Sequence, residues 1–334
     1  MAGSAKSTFV VISAVGGNFI VAIAKLIGWL LTGSPSMLAE GIHSVADTAN
    51  QALLYVGIRH SSREPDAQFP GGFGSARYLW NLISAMGIFF VGFGATTYHG
   101  VSSLFHPHAA GEHSTAWISF AILLFALIVE GYILMVAYRA VREMKGKRGW
   151  WEHLSKGDDP TSVAVLLEDA VAVLGVILAM LGIAISYWYG TALADSIASI
   201  TIGCLLGAMA VLLAYINGRL LIGTAAQPEE IEQIRKFLEK QSSVEKVHVL
   251  HTRIAGPARM RLMAEIEFHG GTLIDSKQIE RDADKVRNEL DQLVPVLAAT
   301  AERMVRVVGA EINRLERELR ERFPKLGGIE LEVH

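Results

Sequence analysis

Residues 38–50 read LAEGIHSVADTAN and set Glu40, His43 and Asp47 at spacings of three and four. On an α-helix those spacings stack the three side chains on one face. The stretch around them, 35–58, is long enough to cross about 30 Å of hydrocarbon at about 1.5 Å per residue. An ionisable side chain at bilayer depth costs several kcal/mol unless it lines a polar path or has a partner. A span with three of them on one face therefore reads as the working element of a membrane protein.

Moving outward, five more apolar stretches of spanning length lie at 8–31, 81–104, 115–138, 161–187 and 192–217. The whole chain of 334 residues is 51% hydrophobic and 19% charged, too apolar for an ordinary soluble enzyme. The first stretch lacks a small-residue cleavage site and is too long for a signal core, so it reads as a retained span. Arg59, Arg63 and Arg77 lie between spans two and three, and Arg139, Arg142, Lys145, Lys147, Arg148 and Lys156 between four and five. The loops at 32–34, 105–114 and 188–191 hold no Lys or Arg, so the positive-inside rule makes both termini cytoplasmic. Trp150 and Trp151 fit a headgroup-level anchor or ordinary loop packing. The single cysteine, Cys204, excludes an intrachain disulfide and a cysteine-based metal knuckle.

The chemistry is sought among the ionisable residues inside the spans. His43 and Asp47 form an i, i+4 pair able to reach one ion, a ligand type that suits zinc and also admits manganese, iron or cobalt. Two ligands do not make a site, and a facing helix must add more. Span five, VAVLLEDAVAVLG at 163–175, offers Asp169, about as deep in the membrane as Asp47, with Glu168 beside it. Glu130 in span four and Lys25 in span one are expected to pair and secure the bundle, with a proton relay through Glu130 as the lesser reading. Glu40 is expected toward the outer mouth, as a cation-attracting or proton-relaying group, or else as a cap or an interfacial carboxylate. Glu40, Glu168 and Glu130 are thus candidates for an additional metal or proton path. Gly87, Gly92, Gly203 and Gly207 allow close helix approach.

Composition shifts after span six, which divides the chain into 1–222 and 223–334. PEEIEQIRKFLEKQ at 228–241 is an amphipathic helix with Pro228 in its first turn. In 244–268, Gly256-Pro257 separates two strand-like runs, the second alternating Met260, Leu262, Ala264, Ile266 and Phe268 with mostly polar residues. A helical region at about 275–322, broken near Pro295, leads to a last strand, GIELEVH at 328–334.

These motifs resemble the cation diffusion facilitators, solute carrier family 30, and within it the zinc transporter nine-like subgroup. The resemblance runs nearly end to end: TGSPSMLAEGIHSVADTANQ at 32–51, ARYLWNLISAMGIFFVG at 76–92, YHG at 98–100, LLEDAVAVLGVI at 166–177, Asp195 opening span six, and VGAEINRLERELRERFP at 308–324. It implies a polytopic α-helical membrane protein of six transmembrane helices. Behind them it implies a C-terminal cytoplasmic α/β domain, αββαβ-like and of ferredoxin-like, metallochaperone-like type, through which two copies dimerise. Carried over residue by residue, the family's metal site falls on His43, Asp47 and Asp169. Its fourth member falls on Val165, which cannot ligate; Glu168 could substitute only by bending around its helix, and a water or substrate-path ligand is an equal alternative. The loop that often binds a further metal reads FPGGFG here, with Phe69 and Phe73 at the ligand places, and is expected to bind none. His248, with His251, His269 and His334 as other candidates, falls where regulatory metal is bound by some members. The histidines at 99, 106, 108 and 113 are expected to be solvated in outer loops.

The resulting expectation is a proton-coupled exporter of zinc, with manganese, iron or cobalt as alternatives, working by alternating access. His43 is its proton-sensitive member, with an unperturbed pKa of about 6.5. The partners implied are the divalent metal, protons, the lipid bilayer and a second copy of the chain, without nucleic acid or organic cofactor. A membrane-tethered metal sensor or scaffold stays open because of Val165. No HExxH, GxSxG or P-loop builds a catalytic centre, so an enzyme is not expected. Compact loops and the lack of a transit-type leader point to a prokaryotic cytoplasmic membrane, with a processed organellar protein as the alternative that would look similar.

Overall fold

The computed structural model describes residues 18–106, 116–145, 160–256 and 259–334, leaving aside the side chains of 144–145 and 160–165. They form two compact units, one from the described part of Met1–Asp66 with Ser75–Leu221, the other from Ala67–Gly74 with Ile222–His334. Trp150, Trp151, His108 and His113 lie outside the described residues.

The first unit is helical: α1 (Asn18–Thr32), α2 (Pro35–Ser61), α3 (Ala76–Phe105), α4 (Ala116–Lys145), α5 (Pro160–Tyr189) and α6 (Leu193–Ile222). Among the described residues, four helices are long and apolar enough to cross a membrane, all drawn from α3 to α6. The described part of α1 is shorter than a span. The 27 residues of α2 suffice in length, but Glu40, His43, Asp47, Asn50 and Gln51 interrupt its apolarity. Gly33 and Gly190, each at φ 66°, reverse the chain between α1 and α2 and between α5 and α6. Only glycine takes that conformation without strain, which is why these connections are so short. At the start of α2, Pro35 occupies the first turn and the Ser34 hydroxyl accepts the Met37 N–H at 3.2 Å.

Inside the bundle Val21, Met37, Leu123, Val176, Ile183 and Ile202 pack together, while Leu30, Phe90, Trp117, Ile128 and Trp188 face outward. An apolar exterior around a partly polar interior is the arrangement of a protein solvated by lipid. The bundle is therefore of helical membrane type. Small residues bring α3 and α6 together: a Cβ at Gly207 would stand 2.9 Å from the Phe93 ring, and Gly92 packs on Leu206. Gly203 lies closer still to Thr97, whereas Gly87 has open space around it and serves no approach. The middle of α3, Ile88–Ala95, winds as a π-helix.

In the second unit α7 (Pro228–Glu239) and three strands precede and flank the helices α8 (Ser276–Asn288) and α9 (Leu293–Arg322). β1 (Val244–Gly256) pairs antiparallel with β2 (Arg259–Phe268), which pairs parallel with β3 (Leu326–Val333), giving the order β1-β2-β3. The core joins Ile234 and Leu238 of α7 and Leu315 and Leu319 of α9 to Leu262, Ala264 and Ile266 of β2. The alternation read from the sequence thus faces the core as expected. The helical break falls at Glu289–Gln292 rather than at Pro295, because proline is tolerated within the first turn of α9.

Arg314 anchors α9 by donating to both carboxylate oxygens of Glu311, at 2.9 and 2.6 Å, and to Gln241 at 3.2 Å. The paired guanidinium holds the Glu311 carboxyl below its ordinary range. A depressed carboxylate stabilises the fold above its unfolded pKa, and that contribution is lost as pH falls through the folded value. Glu311→Gln should therefore shrink the drop in melting temperature of the full chain between neutral pH and below about pH 4. An unchanged drop would show that other carboxylates carry the acid sensitivity.

Candidate functional site

Helix α2 places His43 and Asp47 one turn apart, with Nε2 and Oδ2 at 3.4 Å. His43 is 3% exposed, and neither of its ring nitrogens makes a hydrogen bond. A buried imidazole in that state retains its capacity to ligate. Asp47 faces a small cavity that is also lined by Asp169 of α5, Glu130 of α4, Asn18 and Val21 of α1, and Ser44. Oδ2 of Asp169 and Oε2 of Glu130 are buried there without hydrogen-bond partners. Such orphaned oxygens are expensive unless something positive visits them.

Thus the fold gathers Asp47, Asp169 and Glu130 around one space, with His43 against Asp47. Among the described residues no three His, Cys, Asp or Glu side chains converge on a single point, so these candidate donors stand apart in this conformation. Val165 lies in α5, among the residues whose side chains are not described.

Glu168 turns elsewhere. Its Oε1 accepts from the Asn50 amide at 2.7 Å, and Asn50 in turn accepts from the Ser84 hydroxyl at 2.7 Å. This chain ties α5 to α2 and α3.

Lys25 is fully buried and donates to two carboxylates at once, Glu40 and Glu130, each at 2.7 Å. The expected Lys25–Glu130 pair forms, and Glu40 joins it, so the capping reading of Glu40 is corrected. Glu40 is 0% exposed because the ammonium from α1 neutralises it inside the bundle, and Ser34 does the capping. Its Oε1 lies directly against Gly175 of α5. A methyl group there would push the carboxylate off the ammonium, so Gly175→Ala should destabilise by about 1–3 kcal/mol. Gly131→Ala, facing open space, should be neutral or slightly stabilising. Melting curves of the two variants in detergent test this, and equal curves would refute the contact.

Asp195 at the start of α6 accepts the backbone N–H of Ser36 at 3.3 Å and the Ser36 hydroxyl, fastening α6 to the first turn of α2. His99 is not a solvated loop histidine as expected. It sits half-buried in α3 with its ring edge-on to Trp29, at 6.3 Å between centroids.

In the second unit, His248 Nε2 lies 2.8 Å from Glu267, and its ring stacks on that of His334 at 3.7 Å. The His248 hydrogen bond holds Glu267 below the ordinary carboxylate range. His251 is exposed on β1 opposite Met263. In the 67–74 loop the rings of Phe69 and Phe73 pack on each other at 4.8 Å.

Sequence reading missed Asn18 and Asn50. Both carried a legible signal: Asn18 precedes Lys25 by seven residues and Asn50 follows Asp47 by three, so each shares a helical face with a residue already singled out.

Comparison with known proteins bears on this geometry. A family model described as the cation efflux transmembrane domain matches residues 11–222. The proton-coupled zinc antiporter SLC30A9, mitochondrial, of Xenopus laevis is 37% identical over the whole of this chain, which spans 60% of that protein. Metal tolerance protein C4 of Arabidopsis thaliana is 33% identical over 97% of this chain and 73% of its own length. The cation-efflux pump FieF of Citrobacter koseri is 25% identical over 72% of this chain and 74% of its own. The chain thus spans about three fifths of the Xenopus relative. A match that begins before α1 and ends on the last residue of α6 takes in every helix around the cavity, and the chain therefore belongs to the cation efflux family.

Proposed function

We propose that this chain is a proton-coupled transporter of divalent metal, with zinc as its cargo. The observation that carries the reading is the cavity inside the bundle where Asp47, Asp169 and Glu130 meet beside the unbonded imidazole of His43. The names of relatives, zinc antiporter and metal tolerance protein among them, support it. His43, Asp47 and Asp169 bind the ion as it enters from one side, releasing any protons they hold. The loaded bundle then reopens to the other side, and incoming protons compete for the same nitrogen and oxygens and free the metal. Manganese, iron and cobalt suit a His and carboxylate set almost as well, and the flux experiment below ranks them.

The architecture we propose has six spans, with α1 and α2 joining the four more apolar helices. Both termini lie on the cytoplasmic side, where basic residues crowd the loops. Residues 1–222 form the transport domain, and 223–334 a regulatory and dimerisation domain of ferredoxin-like type, an assignment favoured by its two helix-flanked β-pairings. Two copies of the chain make the transporter in this reading, and His248 is the first candidate for regulatory metal. Compact loops favour a prokaryotic cytoplasmic membrane, while the SLC30A9 relatives carry a mitochondrial designation.

A non-translocating metal sensor is the second reading, favoured by Val165 and by donors that stand apart. The test is metal uptake by the full chain in proteoliposomes across an imposed pH gradient. Zinc flux that follows the gradient is expected. Binding without flux would replace the transporter by the sensor, and flux indifferent to the gradient would remove the proton coupling.

A further inference from the structure

Four carboxylates, Glu40, Asp47, Glu130 and Asp169, crowd the interior of this bundle against one ammonium, Lys25. They are not equivalent. Glu40 is enclosed: one oxygen lies on Lys25, the other against Gly175, and it has no share in the cavity wall. Glu130 is divided. Its Oε1 is held by Lys25 at 2.7 Å, while its Oε2 is buried, without a hydrogen bond, in a residue that lines the cavity with Asp47 and Asp169. Its charge acts on both aspartates, a repulsion that Lys25 offsets only in part.

A buried carboxylate oxygen without a partner is costly unless it takes up a proton or a cation reaches it from outside. The neighbouring His43, almost completely buried and unbonded at both ring nitrogens, points to the same visitor. We propose that Glu130 of α4 is the fourth ligand of the transported metal, taking the place that Val165 leaves vacant on α5, and that Lys25 is the positioning residue that aims it. His43, Asp47, Asp169 and Glu130 then supply four donors from three helices, the number a tetrahedral zinc ion takes. Lys25 remains on Oε1, fixing the carboxylate so that Oε2 alone turns to the ion. The ion draws together donors that stand apart without it. This second-sphere arrangement orients a ligand as outer-shell partners do elsewhere.

The inference rests on the metal-transport reading, and the experiment separates their failures. Purified full-length protein in detergent is titrated with Zn(II), and with Co(II) as a spectroscopic stand-in. Wild type is compared with Glu130→Gln and Glu40→Gln. Glutamine at 130 keeps an oxygen for Lys25 to donate to, so the variant should fold, and melting curves check that it does. Glu130→Gln should bind at least ~10-fold more weakly, the lower end of what even outer-sphere losses cause. Its cobalt visible bands should shift, because one donor has changed. Glu40→Gln should leave the cobalt spectrum as in wild type. Unchanged affinity and spectrum in a folded Glu130→Gln protein would overturn the assignment while leaving His43, Asp47 and Asp169 in place. Absence of metal binding by wild type would instead overturn the transport reading itself.

Discussion

If the chain is the transporter proposed above, Asp47→Ala and Asp169→Ala should each abolish metal flux without unfolding the protein. The expected loss exceeds ~100-fold, because in the proposed site each removes a direct donor where outer-sphere losses already reach 10–100-fold. Stability should hold or rise. Asp169 Oδ2 has no hydrogen bond to lose, and both aspartates stand among carboxylates that repel them. Replacing either with alanine relieves that repulsion, the usual trade between a strained site and fold stability. Proteoliposome flux and melting temperature, measured on the same preparations, check the pair of outcomes. A variant that lost flux only in proportion to its loss of folded protein would place the aspartates in the scaffold.

Lys25→Met has the opposite profile. The ammonium is 0% exposed and serves Glu40 and Glu130 at 2.7 Å each, so its removal leaves two buried carboxylates uncompensated. Breaking a buried ion pair by deleting one partner costs about 3–5 kcal/mol. Lys25→Met should therefore be among the most destabilising single changes in the bundle. Adding Glu40→Gln and Glu130→Gln should recover most of the melting temperature, because neutral amides no longer need the cation. A mild effect of Lys25→Met alone, or no recovery in the triple variant, would mean that the triad contributes little to the fold. Lys25→Arg keeps the charge but exchanges a compact ammonium for a planar fork, and is expected to fall between the two.

The spans were legible because apolarity has to persist for the thickness of a bilayer, and no other constraint on a chain imposes that length. Helix α2 is the instructive exception. Glu40, His43 and Asp47 made it conspicuous to sequence reading, and the same residues keep it below the apolarity of α3–α6. In the second unit the alternation Met260, Leu262, Ala264 and Ile266 specified a half-buried strand, and β2 buries those four residues. Its position between an antiparallel β1 and a parallel β3 was not encoded locally, since pairing partners are chosen by the packing of α7 and α9 over the sheet.

What the sequence by itself determined is which residues of each helix share a face: His43 with Asp47, Asn18 with Lys25, Glu168 apart from Asp169. Helical periodicity alone decides that. Only the tertiary structure decided which of these faces meet. Glu168 and Asp169 are adjacent in the chain, yet one is bound to Asn50 and the other lines the cavity. Glu40 and Glu130 share one lysine although the first looked like an outer-mouth residue and the second like a simple ion-pair partner. The physical reason is that a buried charge must find its opposite across helices, and the choice among several carboxylates depends on which helix packs beside which. That choice rests on close contacts such as Gly175 on Glu40, which no single-helix pattern contains.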